Sequence, residues 1–143
     1  MSFPGLSSMA QSKYKLLKLR NLALWIGYSL VAVLVYVCLT PNPPDTSVVR
    51  FGDKIAHFAG YALLFLWFAQ VYQRTAQFKP AIVLVMLGVA VEIAQSFTNY
   101  RSFEYADMLA NTTGVIIGWL LAATPAASLL YLFEQHIYHK KDY

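Results

Sequence analysis

The sequence predicts an all-α, polytopic membrane protein: four transmembrane helices in a small bundle, with both termini on the cytoplasmic side. Three observations carry that reading. Hydrophobic residues make up 58% of the 143 and charged residues only 13%, whereas soluble domains run at about 45–50% and about 25%. The apolar residues come in blocks close to the roughly 20 residues a helix needs to cross about 30 Å of hydrocarbon. The basic residues gather in alternate gaps between those blocks. A mean hydropathy of +0.48 agrees.

Composition also excludes several classes. Disordered, collagen-like and disulfide-stapled chains have other signatures, and a single cysteine, Cys38, can form no intrachain bridge. The net charge of +4 would suggest a nucleic-acid partner in a soluble protein. Here the basic residues fall where membrane topology needs them, so no nucleic acid is expected.

Span 1 runs from about Asn21 to Leu39 and contains no charge. Its length, and the lack of an A-x-A pattern after it, favour a retained signal-anchor over a cleaved leader. The Pro-rich segment from Thr40 to Gly52 reads as extended. Span 2 covers about Ile55 to Tyr72 and span 3 about Pro80 to Phe97. Span 4 begins near Asp107 or Met108 and reaches Thr124. Pro125 either stops it or kinks it, and a kinked continuation is the expectation. The connections Gln73–Lys79 and Thr98–Ala106 are too short to hold a domain. The organisation is a basic tail (1–20), a transmembrane domain (21–133, motif core 51–118) and a second basic tail (134–143).

Orientation follows from the lysines and arginines. With the N-terminus inside, eight are cytoplasmic: Lys13, Lys15, Lys18, Arg20, Arg74, Lys79, Lys140 and Lys141. Three lie outside: Arg50, Lys54 and Arg101. The Asn111-Thr112-Thr113 sequon would lie against the membrane, which argues against glycosylation.

In this topology the polar residues of spans 2, 3 and 4 all fall at the outer end. Helical spacing groups them into stripes: Asp53, His57, Gly60 and Tyr61; Gly88, Glu92, Gln95 and Asn99; Asp107, Asn111, Gly114 and Gly118. Glycine lets membrane helices approach closely, so Gly60, Gly88, Gly114 and Gly118 are read as packing positions. The stripes are expected to face one another. A charge at the centre of a membrane helix costs about 2.5–3.5 kcal/mol even on the lenient insertion scale. Glu92 must therefore be neutralised, paired or open to water, with His57, Lys54, Arg101, Gln95, Asn111 or Tyr61 as partners. Blander readings stand beside this one. Asp53 and Asp107 suit helix N-termini, Lys54 and Arg101 suit snorkelling, and Glu92 suits a structural hydrogen bond to His57 or Asn111.

The run Asp53-Lys54-Ile55-Ala56-His57-Phe58-Ala59-Gly60-Tyr61 resembles the D-K-x-x-H-x-x-x-Y signature of VanZ-like membrane proteins. Glu92-x-x-Gln95, Arg101 and Asp107-x-x-x-Asn111-x-x-Gly114-x-x-x-Gly118 follow in the same order, so the resemblance covers Phe51 to Gly118. It implies a small multi-span protein of the bacterial cytoplasmic membrane. It also implies a link to resistance against teicoplanin-type lipoglycopeptides, and leaves the molecular activity open.

The expected site is thus a polar pocket near the outer leaflet formed by Asp53, Lys54, His57, Tyr61, Glu92, Gln95, Arg101, Asp107 and Asn111. Its expected partners are membrane lipids and an envelope amphiphile or lipoglycopeptide, bound by the headgroup. Two alternatives use the same residues. One is a membrane enzyme using His57 and Glu92 as base and acid, or two carboxylates and His57 on a metal. The other is a proton-coupled transporter. No conventional metal-ligand spacing or nucleophile motif is present, so no cofactor or resident metal is expected. Alkaline phosphatase fused after Arg101 should be active, and fused within Gln73–Lys79 inactive. The reverse pattern would invert the topology.

Overall fold

The structure, a computed structural model, describes residues 19–42, 50–124, 129–130, 132–133 and 136. The described elements are helical: α1 (Arg20–Leu39), α2 (Gly52–Ala69), a 3₁₀ turn (Arg74–Ala76), α3 (Phe78–Ser96) and α4 (Tyr105–Leu121). Arg20–Leu39 and Arg74–Ser96 are long and apolar enough to cross a membrane.

Local chemistry sets the helix ends. Thr40 is extended, with φ −71° and ψ 141°, because a residue before proline (here Pro41) is driven out of the α region. Pro80 lies in the first turn of α3, where its missing N–H has no helical acceptor to lose. Helix α2 starts earlier than the apolar span does, at Gly52. Hydropathy marks what lipid tolerates, whereas the backbone helix runs on through Asp53 and Lys54. Phe51 caps it in the left-handed region, at φ 61°, and no side chain caps the helix, so Asp53 is not its N-cap. Helix α4 starts at Tyr105, which puts Asp107 in its first turn, and stops at Leu121. Ala123 and Thr124 then turn back onto Leu120 and Leu121. A kink at Pro125 falls outside the described residues, as do Lys13, Lys15, Lys18, Lys140 and Lys141, most of the two tails, and 43–49 of the Pro-rich segment. Leu130 is helical and donates its N–H to Gln70 Oε1 at 2.7 Å.

Helices α2 and α4 make the most extensive contact among the described elements. A Cβ on Gly114 would fall on the Phe58 carbonyl oxygen, and one on Gly118 would lie 2.7 Å from that of Ala62. The matched steps, 58 to 62 and 114 to 118, show that these helices run parallel, so α3 returns between them. On α3, Gly88 sits against the Asn111 side chain. Below this polar region the core is apolar, built around Phe65, Leu84 and Val115.

Helix α1 is peripheral and held mainly at its ends. The Trp67 indole donates to the Ala23 carbonyl at 2.8 Å, Gln95 to that of Cys38 at 2.9 Å, and the Tyr100 hydroxyl to that of Leu39 at 2.7 Å. Gly60 faces this helix rather than α3 or α4, since its Cβ would meet Leu34 Cδ1 at 2.9 Å.

Two glycine substitutions should therefore differ. Gly114→Ala meets a backbone oxygen that cannot move, and overpacking of this kind costs about 1–3 kcal/mol. Gly60→Ala meets the tip of a flexible leucine and should cost much less. Thermal unfolding of the purified protein checks the order, and equal losses would contradict the packing.

Candidate functional site

Parallel packing of α2 and α4 brings their N-terminal turns together, and the return of α3 delivers its C-terminal turns to the same end. The Lys54 ammonium lies at the centre. It is 2.7 Å from Asp53 Oδ2, 2.8 Å from Glu104 Oε2 and 3.2 Å from Asp107 Oδ1. Asp53 and Lys54 precede the apolar span that begins at Ile55. The hydrogen bond from Lys54 holds the Asp53 carboxyl below its ordinary pKa. The bonds to Asp53 and then Glu104 keep the Lys54 ammonium protonated well above the usual lysine range.

One turn deeper, His57 Nδ1 is 3.2 Å from Asn111 Oδ1, and His57 Nε2 is 3.9 Å from Asp107 Oδ2. Glu92 is fully buried. Its Oε1 accepts the backbone N–H of Glu104, which anchors the segment entering α4 and sets Glu104 toward Lys54. Neither His57 nor Asn111 bonds Glu92 directly among the described residues.

Four buried polar atoms from α2, α3 and α4 have no hydrogen-bond partner among the described residues: Tyr61 Oη, Glu92 Oε2, Asp107 Oδ1 and Asn111 Nδ2. For Asp107 Oδ1 the 3.2 Å approach to Lys54 is an ion pair without hydrogen-bond geometry. Leaving such a group unsatisfied costs about 1–3 kcal/mol. This end of the bundle therefore holds unspent donors and acceptors, in contrast to the apolar core beneath it.

A cavity of about 650 Å³ opens beside the cluster, between α1 and α2. Its long walls are apolar: Leu30, Val33, Leu34 and Val37 from α1, with Ala56, Gly60, Leu63, Leu64 and Trp67 from α2. Asp53, His57 and Arg101 close one end. Size and lining fit the usual small-molecule site, apolar with a few convergent polar groups.

The expected site residues thus divide into three groups. Asp53, Lys54, His57, Asp107 and Asn111 form one connected network, and Arg101 lines the cavity next to it. Tyr61 and Glu92 are buried within the helix junction. Gln95 is spent on the Cys38 carbonyl and holds α1. The sequence reading missed Glu104. Glu104-x-x-Asp107 ahead of an apolar run could have flagged it, since three-residue spacing puts both carboxylates on one side.

Asp53, Glu104 and Asp107 can each offer an oxygen, all within 4.8 Å of one another. This oxygen set suits a hard divalent cation, and its spacing in the sequence gives no hint of it because the residues come from different segments. The Lys54 ammonium lies among these oxygens.

Two apolar helical stretches of spanning length and a cluster of ionisable groups between helices define a membrane-associated helical protein with a polar site at one end of its bundle. The chain belongs to the VanZ/LLP1 family, whose model matches residues 3–130. It is also similar to the uncharacterized protein C11E3.10 of Schizosaccharomyces pombe, 32% identical over 107 residues. That match covers 72% of this chain and 64% of the yeast protein. No solved structure matches.

The Lys54 network makes a pH prediction. In the wild type the depressed Asp53 pKa contributes stability that is fully present above its unfolded value, about 3.9, and is lost as pH falls from there through the lower folded-state value. Lys54→Met removes the hydrogen bond that holds the Asp53 carboxyl low and leaves three carboxylates facing one another without a cation. Its Tm should be lower than wild type at pH 7 and should recover on acidification toward pH 5. A flat profile over that range would show that the ammonium does not hold the carboxylates together.

Proposed function

We propose that this protein is a four-span protein of the bacterial cytoplasmic membrane that binds an amphiphile. The headgroup sits at the Asp53–His57–Arg101 end, and the hydrocarbon lies between α1 and α2. One observation carries the reading: the cavity has apolar walls and its charged side chains at one end, with only the neutral Gln70 beyond Trp67, which is the polarity of an amphiphile. Helices consecutive in the chain run antiparallel, and α2 and α4 therefore parallel, which favours four crossings of one membrane. The basic residues favour cytoplasmic termini and a polar end in the outer leaflet. The domain then spans 21–133 between two basic tails.

The fungal relative favours a ligand common to bacterial and fungal membranes over one found only in bacterial walls. Tolerance of a teicoplanin-type lipoglycopeptide, which also carries a lipid tail, would follow as a consequence of binding or shielding amphiphiles.

A second reading rests on the three carboxylates. A divalent cation there, with His57 adjacent, would suit metal-assisted cleavage of a lipid-linked substrate. Lys54 would first have to leave the oxygens.

Lipids extracted from the purified wild-type protein should include a stoichiometric amphiphile, and Val33→Trp, which fills the groove from its exposed α1 wall, should lose it while remaining folded. Equal lipid content in both would refute the binding reading. Release of a soluble headgroup on adding Mn²⁺, abolished in Asp107→Asn, would establish the second reading instead.

A further inference from the structure

The charge pattern at the end of the cavity goes further than the presence of a headgroup. Lys54, the more obvious anion-binding group, is engaged by three carboxylates at 2.7, 2.8 and 3.2 Å. One ammonium among three carboxylates leaves that side of the site net negative, so a bare anion would be repelled from it. Arg101 differs. It is partly buried, lines the cavity, and has no ion pair among the described residues. Its fork of N–H donors matches phosphate geometry. The site is therefore dipolar, with a cation available on the Arg101 side and surplus carboxylate on the Asp53 side.

Resting on the amphiphile reading above, we propose that the headgroup is zwitterionic, of the phosphoethanolamine class. Its phosphate meets Arg101 and its primary ammonium meets Asp53 and the carboxylates behind it. A primary ammonium offers three N–H donors to carboxylate oxygens. A quaternary ammonium offers none and is recognised by aromatic faces. Trp67 is the aromatic residue in the cavity lining, and it lies ten residues beyond His57 on α2, about 15 Å along the helix. The charged end thus suits a hydrogen-bonding amine, and the described residues lining it form no aromatic cage for choline.

Binding of four single-chain probes to the full-length protein in neutral detergent, followed by Trp fluorescence and native mass spectrometry, tests this. The probes are dodecyl phosphoethanolamine, dodecylphosphocholine, dodecyl phosphate and dodecyltrimethylammonium, with inorganic phosphate as a tail-less control. Dodecyl phosphoethanolamine should bind at least about ten-fold more tightly than each of the others, and inorganic phosphate should not compete. Arg101→Gln should weaken phosphoethanolamine and alkyl phosphate alike by about ten-fold or more, with Arg101→Lys intermediate. Asp53→Asn should reduce the preference for phosphoethanolamine over phosphocholine.

Phosphocholine or alkyl phosphate binding as tightly as phosphoethanolamine would overturn the proposal while leaving the amphiphile reading intact. Alkyl phosphate binding best only with added Mg²⁺ or Mn²⁺ would overturn it in favour of the metal reading. Failure of every probe would instead sink the amphiphile reading itself. The wild-type ranking decides the matter even where a variant fails to fold.

Discussion

Helices α2 and α4 meet backbone to backbone, and most of the architecture follows from that contact. With no Cβ at Gly114 or Gly118, the carbonyls of Phe58 and Ala62 come within van der Waals reach of the facing helix. Contact this close is specific, because a shift of one residue would bring a side chain against a carbonyl. The register places His57 beside Asn111 and Lys54 beside Asp107. Parallel helices adjacent in the chain require a return crossing, and α3 provides it, carrying Glu92 to the same end.

The polar end is costly and the rest of the bundle is not. Ionisable groups inside a membrane protein are tolerated when they face one another or a cavity, and here they do both. Lys54 joins two helices and the segment between α3 and α4. Glu92 spends one oxygen on the backbone of that segment, so its role is to shape the site from behind. The atoms left without partners are concentrated at this end, next to the charged end of the cavity.

Helix α1 has a different relation to the whole. Backbone carbonyls at its two ends accept hydrogen bonds from α2, α3 and the segment after α3, while its middle touches α2 through Leu34 against Gly60 and shares with α2 the walls of the cavity. Three helices build the polar cluster, and the fourth converts its flank into a groove.

Much of this was legible in the residues alone. An apolar block of about 20 residues has one stable form in lipid, so the helices and their count could be read directly. Helical periodicity and alternating direction then gathered Lys54, His57, Glu92, Asp107 and Asn111 at one end. Periodicity did not reach Glu104, one residue before α4, because the stripe was counted from Asp107, although the three-residue spacing between the two was visible. Nor does it say which neighbour a face meets. Gly60 shares a stripe with Tyr61 but turns to α1, and Gln95 shares one with Glu92 but bonds a backbone carbonyl of α1. The helices, and the end of the bundle at which their polar groups meet, were readable from local pattern, because apolar block length and helical spacing are properties of each segment alone. Pairings, the groove and the three-carboxylate site were decided only by the tertiary structure, because they depend on distances between segments that no local pattern encodes.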